Sequence, residues 1–111
     1  MNLRFTGRHV GIGEADRTYA EKKAVGLARY HRHLMDLEVR VTRDGTAEER
    51  VELEADLGRT RAVARADAPE FRAAFDAALE SLKRQLLRDK EKGVDRRRRR
   101  ASRRGGEGMA P

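Results

Sequence analysis

Five basic residues stand close together in the last amphipathic stretch of the chain, and their type and spacing could do chemistry. Side chains at this density of positive charge can neutralise phosphate groups. Helix electrostatics would explain any single one of them, because the C-terminal end of a helix attracts cations. The group therefore indicates anion binding only if other parts of the chain agree. Its members are Lys83, Arg84, Arg88, Lys90 and Lys92.

Residues that could support catalysis are sparse. The sequence has no cysteine and three histidines, of which His31 and His33 lie two residues apart at a predicted helix end and point to different sides. It contains no residues at a spacing typical of metal ligands, no phosphate-binding glycine loop, and no nucleophile with a base at a recognisable sequence spacing. We expect no enzyme, no cofactor, no metal and no small-molecule substrate.

The length and composition indicate one small domain with a tail. The absence of cysteine fits a reducing compartment. No apolar run approaches the roughly 20 residues that span a bilayer. The first eight residues also lack the apolar region of a signal peptide. We expect a soluble cytoplasmic protein that is monomeric when free and does not bind a membrane.

The net charge of +7 is distributed unevenly along the chain. Residues 94–111 carry seven arginines against two acids, whereas residues 34–56 carry eight acids against three arginines. The flanking parts of the domain are basic. Such a separation of charge suits a protein that binds nucleic acid in one orientation.

The hydrophobic pattern predicts a strand, a helix, three strands and a final helix. Apolar residues alternate along the four strands and recur at three- and four-residue steps in the helices. We expect an α+β fold, a two-layer β-α-β-β-β-α sandwich whose four-stranded sheet carries both helices on one face. The predicted ranges are 2–7, 14–32, 35–42, 51–57, 60–66 and 69–92, with a turn at Asp44-Gly45.

Charged residues occupy the outward positions of the last two strands. Arg61 and Arg65 could lie across from Glu52 and Glu54 as ion pairs on a solvated face. In the first helix, Lys23 falls inside the apolar stripe. It either snorkels at the edge of the helix or is aimed at a functional contact.

The domain covers residues 1–93, and we expect residues 94–111 to form a disordered basic tail. The tail serves either as a nucleic-acid-binding arm or as a solubilising end, and repulsion within its run of arginines favours the arm. That run consists of Arg96, Arg97, Arg98, Arg99 and Arg100.

Two stretches resemble bacterial ribosome hibernation promoting factors and ribosome-associated inhibitors, in their short form. The first runs from Phe5-Thr6-Gly7-Arg8 to Ile12 and continues with Tyr19, Glu21-Lys22-Lys23, Leu27 and Tyr30. The second comprises Ala73-Ala74-Phe75-Asp76 and Leu82-Lys83-Arg84-Gln85-Leu86, followed by the spaced Arg88, Lys90 and Lys92. The similarity covers about residues 1–92.

The resemblance implies the fold given above and a function in translation. A member of this family binds the small ribosomal subunit and its 16S rRNA, within the intact ribosome, where mRNA and tRNA meet. It blocks translation sterically under stress or in stationary phase. Basic residues around the two helices would neutralise rRNA phosphates. The matching positions are Arg8, Lys22, Lys23, Lys83, Arg84, Arg88, Lys90 and Lys92.

The sequence departs from the family pattern at four positions. Asp16 stands where an apolar residue is usual, and Arg72 where an aromatic residue is common. Gly26 and Ser81 replace residues that are often basic. A general RNA-binding or RNA-chaperone module and a protein adaptor that uses the exposed sheet face remain alternatives, and the effect on ribosome dimerisation is open.

Overall fold

The computed structural model describes residues 1–8, 11–43 and 48–109, with side chains except at Arg8 and 91–109. The predicted element order and the α+β class are confirmed. The predicted turn at Asp44-Gly45 lies outside the described residues. The elements are β1 (Asn2–Arg8), α1 (Glu14–Val25), a 3₁₀ turn (Gly26–Arg29), β2 (Asp36–Thr42), β3 (Glu49–Asp56), β4 (Arg61–Ala68) and α2 (Phe71–Met109).

The four strands form one mixed sheet in the order β1-β2-β3-β4. β1 runs parallel to β2, because α1 carries the chain back across the sheet between them, and the other neighbours are antiparallel. The register aligns Phe5, Val39, Leu53 and Ala64 in a row across the sheet. Side chains in such a row share one face.

A single apolar core covers one face of the sheet. The alternating residues of β2 and β3 are buried, and the residues between them are partly exposed. Ala20 and Ala24 of α1 and Phe75 and Leu82 of α2 are fully buried in the same cluster as these strand residues. Both helices therefore contribute to the layer that removes this face of the sheet from water.

The first helix ends earlier than its sequence predicts. α1 stops at Val25, and Gly26–Arg29 continue as a 3₁₀ turn instead of reaching residue 32 as α-helix. Gly26 is a poor helix former, which weakens the α-helical geometry at this point. The tighter turn still buries Leu27 completely and ends with a 2.9 Å hydrogen bond from the Tyr30 N–H to the Leu27 carbonyl.

The second helix continues past the last residue of the amphipathic pattern. Its apolar stripe runs from Phe71 to Leu86, whereas its helical backbone extends to Met109. The division into a domain at 1–93 and a separate tail at 94–111 stays a prediction. Across the described segments, no helix is long and apolar enough to cross a membrane.

The turn between β3 and β4 depends on a glycine. Gly58 has φ +87° and donates its N–H to the Asp56 carboxylate at 2.9 Å. The Leu57 N–H closes the turn on the Thr60 carbonyl, also at 2.9 Å. A β-carbon at Gly58 would meet only ordinary contact with the Met35 sulfur at 3.9 Å. The constraint at this position is the left-handed backbone and not space.

We predict that Gly58→Ala lowers the free energy of unfolding by about 1–2 kcal/mol, because a non-glycine residue is strained at this φ. Urea denaturation measures the change. Gly26→Ala is the matched control. Gly26 has φ −67° and open space around it, so the change should leave stability equal or raise it slightly. Equal losses of unfolding free energy in both variants would contradict the conclusion that the left-handed backbone is the constraint at Gly58.

Candidate nucleic-acid interface

The two helices lie side by side and run in the same direction. Contacts between them join residues that advance together along both helices: Asp16 with Arg72, then Tyr19 with Asp76. Beyond α1, the ammonium group of Lys83 lies 5.6 Å from the centre of the Tyr30 ring. This parallel packing brings the basic C-terminal turn of α1 beside the part of α2 between Asp76 and Lys83.

A tyrosine links the exposed seam between the helices to the core. The Tyr19 hydroxyl donates to both oxygens of Asp76, at 2.8 and 2.7 Å. This hydrogen bond raises the pKa of Tyr19, and burial and the negative charge of Asp76 act in the same direction. The Tyr19 ring meets the buried Phe75 edge-on at 6.3 Å between centres. Tyr19 and Asp76 therefore set the spacing of α1 and α2.

Two residues near the helix starts depart from the family pattern, and they contact each other. The guanidinium group of Arg72 donates to the Asp16 carboxylate at 3.1 Å and lies 4.8 Å from the Tyr19 ring centre. An ion pair thus occupies the place where the family pattern has an apolar and an aromatic residue. Both side chains are partly exposed, so the pair contributes little to stability, about 1 kcal/mol or less.

Two lysines of the predicted site are held over tyrosine rings. The Lys23 ammonium lies 5.5 Å from the Tyr19 ring centre, in the same arrangement as Lys83 over Tyr30. Lys23 has no carboxylate partner among the residues whose side chains are described. Lys83 also approaches the exposed carboxylate of Glu80 at 3.5 Å. The rings limit the positions of both ammonium groups and leave their hydrogen-bond donors open to a ligand.

Four further residues of the predicted site are exposed on the same two helices. In the described part of the chain none of them pairs with a carboxylate; the Arg88 Nε–H donates to the Arg84 carbonyl at 3.4 Å. The side chains of Arg8, Lys92 and the arginines at 96–100 lie outside the description. The four are Lys22, Arg84, Arg88 and Lys90.

The outer face of the sheet differs, because its described arginines have carboxylate partners. The predicted cross-strand ion pairs of Arg61 and Arg65 are confirmed. The hydrogen bond from Arg40 to Glu38 raises the pKa of Arg40, against an opposing effect of burial. The pairs are Arg4 with Glu38, Arg40 with Glu38, Glu52 and Glu54, Arg50 with Asp67, Arg61 with Glu54, and Arg65 with Glu52. Arg43 is also paired, with the buried Glu49 in the inward row of β3.

Two arginines that sequence reasoning missed extend the helix surface. Arg29 and Arg32 are exposed and unpaired within the described ranges. The buried His31 between them receives the His33 N–H on Nδ1 at 3.2 Å and donates from Nε2 to Asp89 at 2.6 Å. This contact places the residues that follow the 3₁₀ turn beside the middle of α2. The run of basic residues around Tyr30 in the sequence could have indicated these two arginines.

The two surfaces thus carry their positive charge differently. Arginines on the sheet face are neutralised within the protein, whereas most described cations of α1, the 3₁₀ turn and α2 are not. We name the helix surface the cationic helix face and define it by Lys22, Lys23, Arg29, Arg32, Lys83, Arg84, Arg88 and Lys90. A surface on which most cations are unpaired attracts polyanions, and nucleic acid with its phosphates is such a ligand.

Comparisons with known proteins concern the family and the fold of this chain. The family described as “Sigma 54 modulation protein / S30EA ribosomal protein” matches residues 3–93. A ribosome hibernation promoting factor of Azotobacter vinelandii is 27% identical over 96 residues, which cover 86% of this chain and 89% of the relative.

Two solved structures share the fold. The N-terminal domain of Protein Y from Thermus thermophilus is 30% identical with a TM-score of 0.71, over 79% of this chain and 98% of that domain. A ribosomal subunit interface protein from Coxiella burnetii has a TM-score of 0.73 at 22% identity, over 82% of this chain and 99% of that one. At that identity the second likeness concerns the fold alone.

The hydrogen bond between Tyr19 and Asp76 predicts a difference in stability at high pH. The pKa of Tyr19 is higher in the folded protein than its usual value of about 10. Its contribution to stability is therefore complete below about pH 10 and is lost as the pH rises through the folded pKa. We predict that Tyr19→Phe lowers the free energy of unfolding by about 1 kcal/mol at neutral pH.

The difference in the free energy of unfolding between the unchanged protein and Tyr19→Phe should shrink above about pH 10, because Phe has no proton to lose. Urea denaturation of both proteins from pH 7 to pH 11 measures it. The comparison with Tyr19→Phe cancels the titration of the lysines, which both proteins share. A constant difference over this range would contradict the proposed role of the hydroxyl.

Proposed function

The chain belongs to the family of the sigma 54 modulation protein and the S30EA ribosomal protein, and we propose that it binds the small ribosomal subunit and inhibits translation. Family membership agrees with the resemblance inferred from the sequence. The family description and the name of the Azotobacter relative support a ribosome-associated factor of the hibernation type. Its place of action is then the cytoplasm.

The ligand in this proposal is the phosphate backbone of 16S rRNA. The observation that carries it is the contrast between the cationic helix face and the neutralised sheet face. Phosphate contacts orient a protein on RNA without reading sequence, so exposed Lys and Arg side chains are sufficient for the role. The rings of Tyr19 and Tyr30 restrict Lys23 and Lys83 before binding, which lowers the entropy lost when they contact phosphate.

Inhibition in this proposal is steric. The domain binds in the cleft where mRNA and tRNA meet. By occupying that cleft it keeps the intact ribosome inactive under stress or in stationary phase. This step follows from the family resemblance and needs no cofactor. The same cleft gives the proposal a direct test, because tRNA should compete with the protein for it.

The alternatives make different use of the same surfaces. A general RNA-binding module would use the cationic helix face without preferring the assembled subunit. A protein adaptor would use the outer sheet face, where Glu38, Glu52 and Glu54 are already engaged by arginines of the same sheet. That internal pairing favours the helix face as the site of binding.

Co-sedimentation with small subunits and intact ribosomes, at low and moderate salt, tests the proposal. Saturable binding that excess tRNA displaces would support it. Equal binding to free RNA of any sequence would favour the general RNA-binding module instead. Binding that persists at high salt would favour the adaptor, because phosphate contacts weaken as salt rises.

We predict that Lys83→Gln, Arg84→Gln and Arg88→Gln together weaken binding to the small subunit and flatten its salt dependence. Each lost phosphate contact reduces the slope of log K against log salt by about 0.7–0.9, so three contacts reduce it by about 2–3. Co-sedimentation at several salt concentrations measures the slope. Thermal stability should change little, because these side chains lie outside the apolar core.

The matched control removes three charges from the sheet face: Arg4→Gln, Arg50→Gln and Arg65→Gln. It lowers the net charge by the same amount, so a long-range effect of charge would appear equally in both triple variants. We expect the control to keep the affinity and the slope of the unchanged protein. Equal weakening in both variants would refute the assignment of binding to the helix face.

A further inference from the structure

A crevice lies on the flank of α2 that faces away from α1. It has a volume of about 240 Å³ and separates the start of β4 from residues 85–89 of α2. The buried side chains of Leu57 and Ala62 line it from the sheet. Its polar residues are Thr60, Arg61, Gln85, Arg88 and Asp89.

Two of the polar residues are already engaged by the fold. The Gln85 amide donates to the Val63 carbonyl at 2.8 Å, which ties α2 to the edge strand. The Asp89 carboxylate accepts from the buried His31 at 2.6 Å. Among the crevice residues whose side chains are described, Asp89 is the one acidic group, and this contact offsets part of its repulsion of an anion.

The remaining polar residues have donors to spare. The guanidinium of Arg88 contacts only the carbonyl of Arg84, at 3.4 Å, and no carboxylate in the part that the structure describes. Within the same described part, the Thr60 hydroxyl has no hydrogen-bond partner. Arginine presents five N–H donors in a fork that matches phosphate, and a hydroxyl adds one more.

Arg61 can turn toward the crevice without leaving a carboxylate alone. Its side chain is 67% exposed and contacts Glu54 through one nitrogen at 3.2 Å. Glu54 also contacts Arg40, at 3.4 Å, so it keeps a cationic partner when Arg61 binds something else. Such a displaced surface pair costs about 1 kcal/mol or less.

We propose that this crevice binds a phosphate group of the RNA backbone between Arg61 and Arg88. The inference rests on the proposed function, which supplies RNA as the ligand. The volume is below the roughly 300 Å³ at which pockets for drug-sized ligands begin, so it suits a phosphate with its sugar.

The position of the crevice extends the RNA-binding surface around α2. Successive residues of an α-helix are about 100° apart, so Arg88 is rotated about 140° from Lys83. Lys83 contacts Tyr30 on the side of α1, whereas Arg88 lines the crevice on the side of β4. RNA would thus contact both flanks of the helix, which fixes the orientation of the domain better than one flank does.

The test compares Arg61→Ala with Arg65→Ala. The two arginines are two residues apart on β4, similarly exposed, and each contacts a β3 glutamate that Arg40 also contacts. Only Arg61 lines the crevice. In small-subunit binding, Arg61→Ala should lower the salt slope by about 0.7–0.9, and Arg65→Ala should leave it unchanged. Equal effects, or none from Arg61→Ala, would overturn the proposal.

A second measurement separates this proposal from the proposed function. NMR signals of the arginine Nε–H groups can be followed while a single-stranded RNA oligonucleotide is added to the full chain. We expect shifts at Arg61 and Arg88 but not at Arg65, even if the protein fails to bind ribosomes. Inorganic phosphate at the same phosphate concentration should give much smaller shifts. Equal shifts with phosphate would indicate a free-anion site and overturn the assignment to RNA, as would no shift with RNA.

Discussion

The burial of one face of the sheet under two helices is the constraint on which the rest of the structure depends. The apolar rows of β2 and β3 are fully buried, and a chain of 111 residues has little other apolar surface with which to build a core. Along β4 the inward residues are small, with Ala62 and Ala64 buried. Small residues there let α2 pack closely on the sheet, while the larger Phe71 and Phe75 project from the helix into the core.

This arrangement determines on which face of the protein positive charge is paired with carboxylates. Residues that alternate with the buried rows must face the opposite side of the sheet, and there Arg40 lies among Glu38, Glu52 and Glu54. Positive charge on that side is cancelled by neighbours that the strand register supplies. On the described parts of the helices, Lys83 approaches Glu80 and Arg72 pairs with Asp16, but most of the other cations have no carboxylate partner. The same two-layer packing thus produces one neutral and one cationic side.

The seam between the helices connects stability to binding. Tyr19 packs on Phe75, donates to Asp76, and has both Lys23 and Arg72 near its ring. A change at this residue therefore acts on the spacing of the helices and on the position of a cation together. His31 and Asp89 form a comparable link at the other end of the seam, where a buried ring holds the exposed arginines on either side of it.

The sequence by itself determined the order of elements, the inward residues of each strand and the ion pairs of Arg61 and Arg65. These features follow from periods of two and 3.6 residues and from hairpins that bring near neighbours together. The end of α1 at Val25 was harder to predict, because Gly26 lowers helix propensity without forbidding the helix.

Only the tertiary structure decided which basic side chains lack a carboxylate partner. Asp16 meets Arg72, Tyr19 meets Asp76 and His31 meets Asp89 across 56 to 58 residues of chain. Local periodicity carries no information about such distant partners, since they depend on how the two helices pack on the sheet. The crevice between α2 and β4 arises in the same way. Six of the eight residues of the cationic helix face could therefore be named from the sequence, whereas Arg29 and Arg32, the pairing of the cations and their division between the two flanks of α2 required the fold.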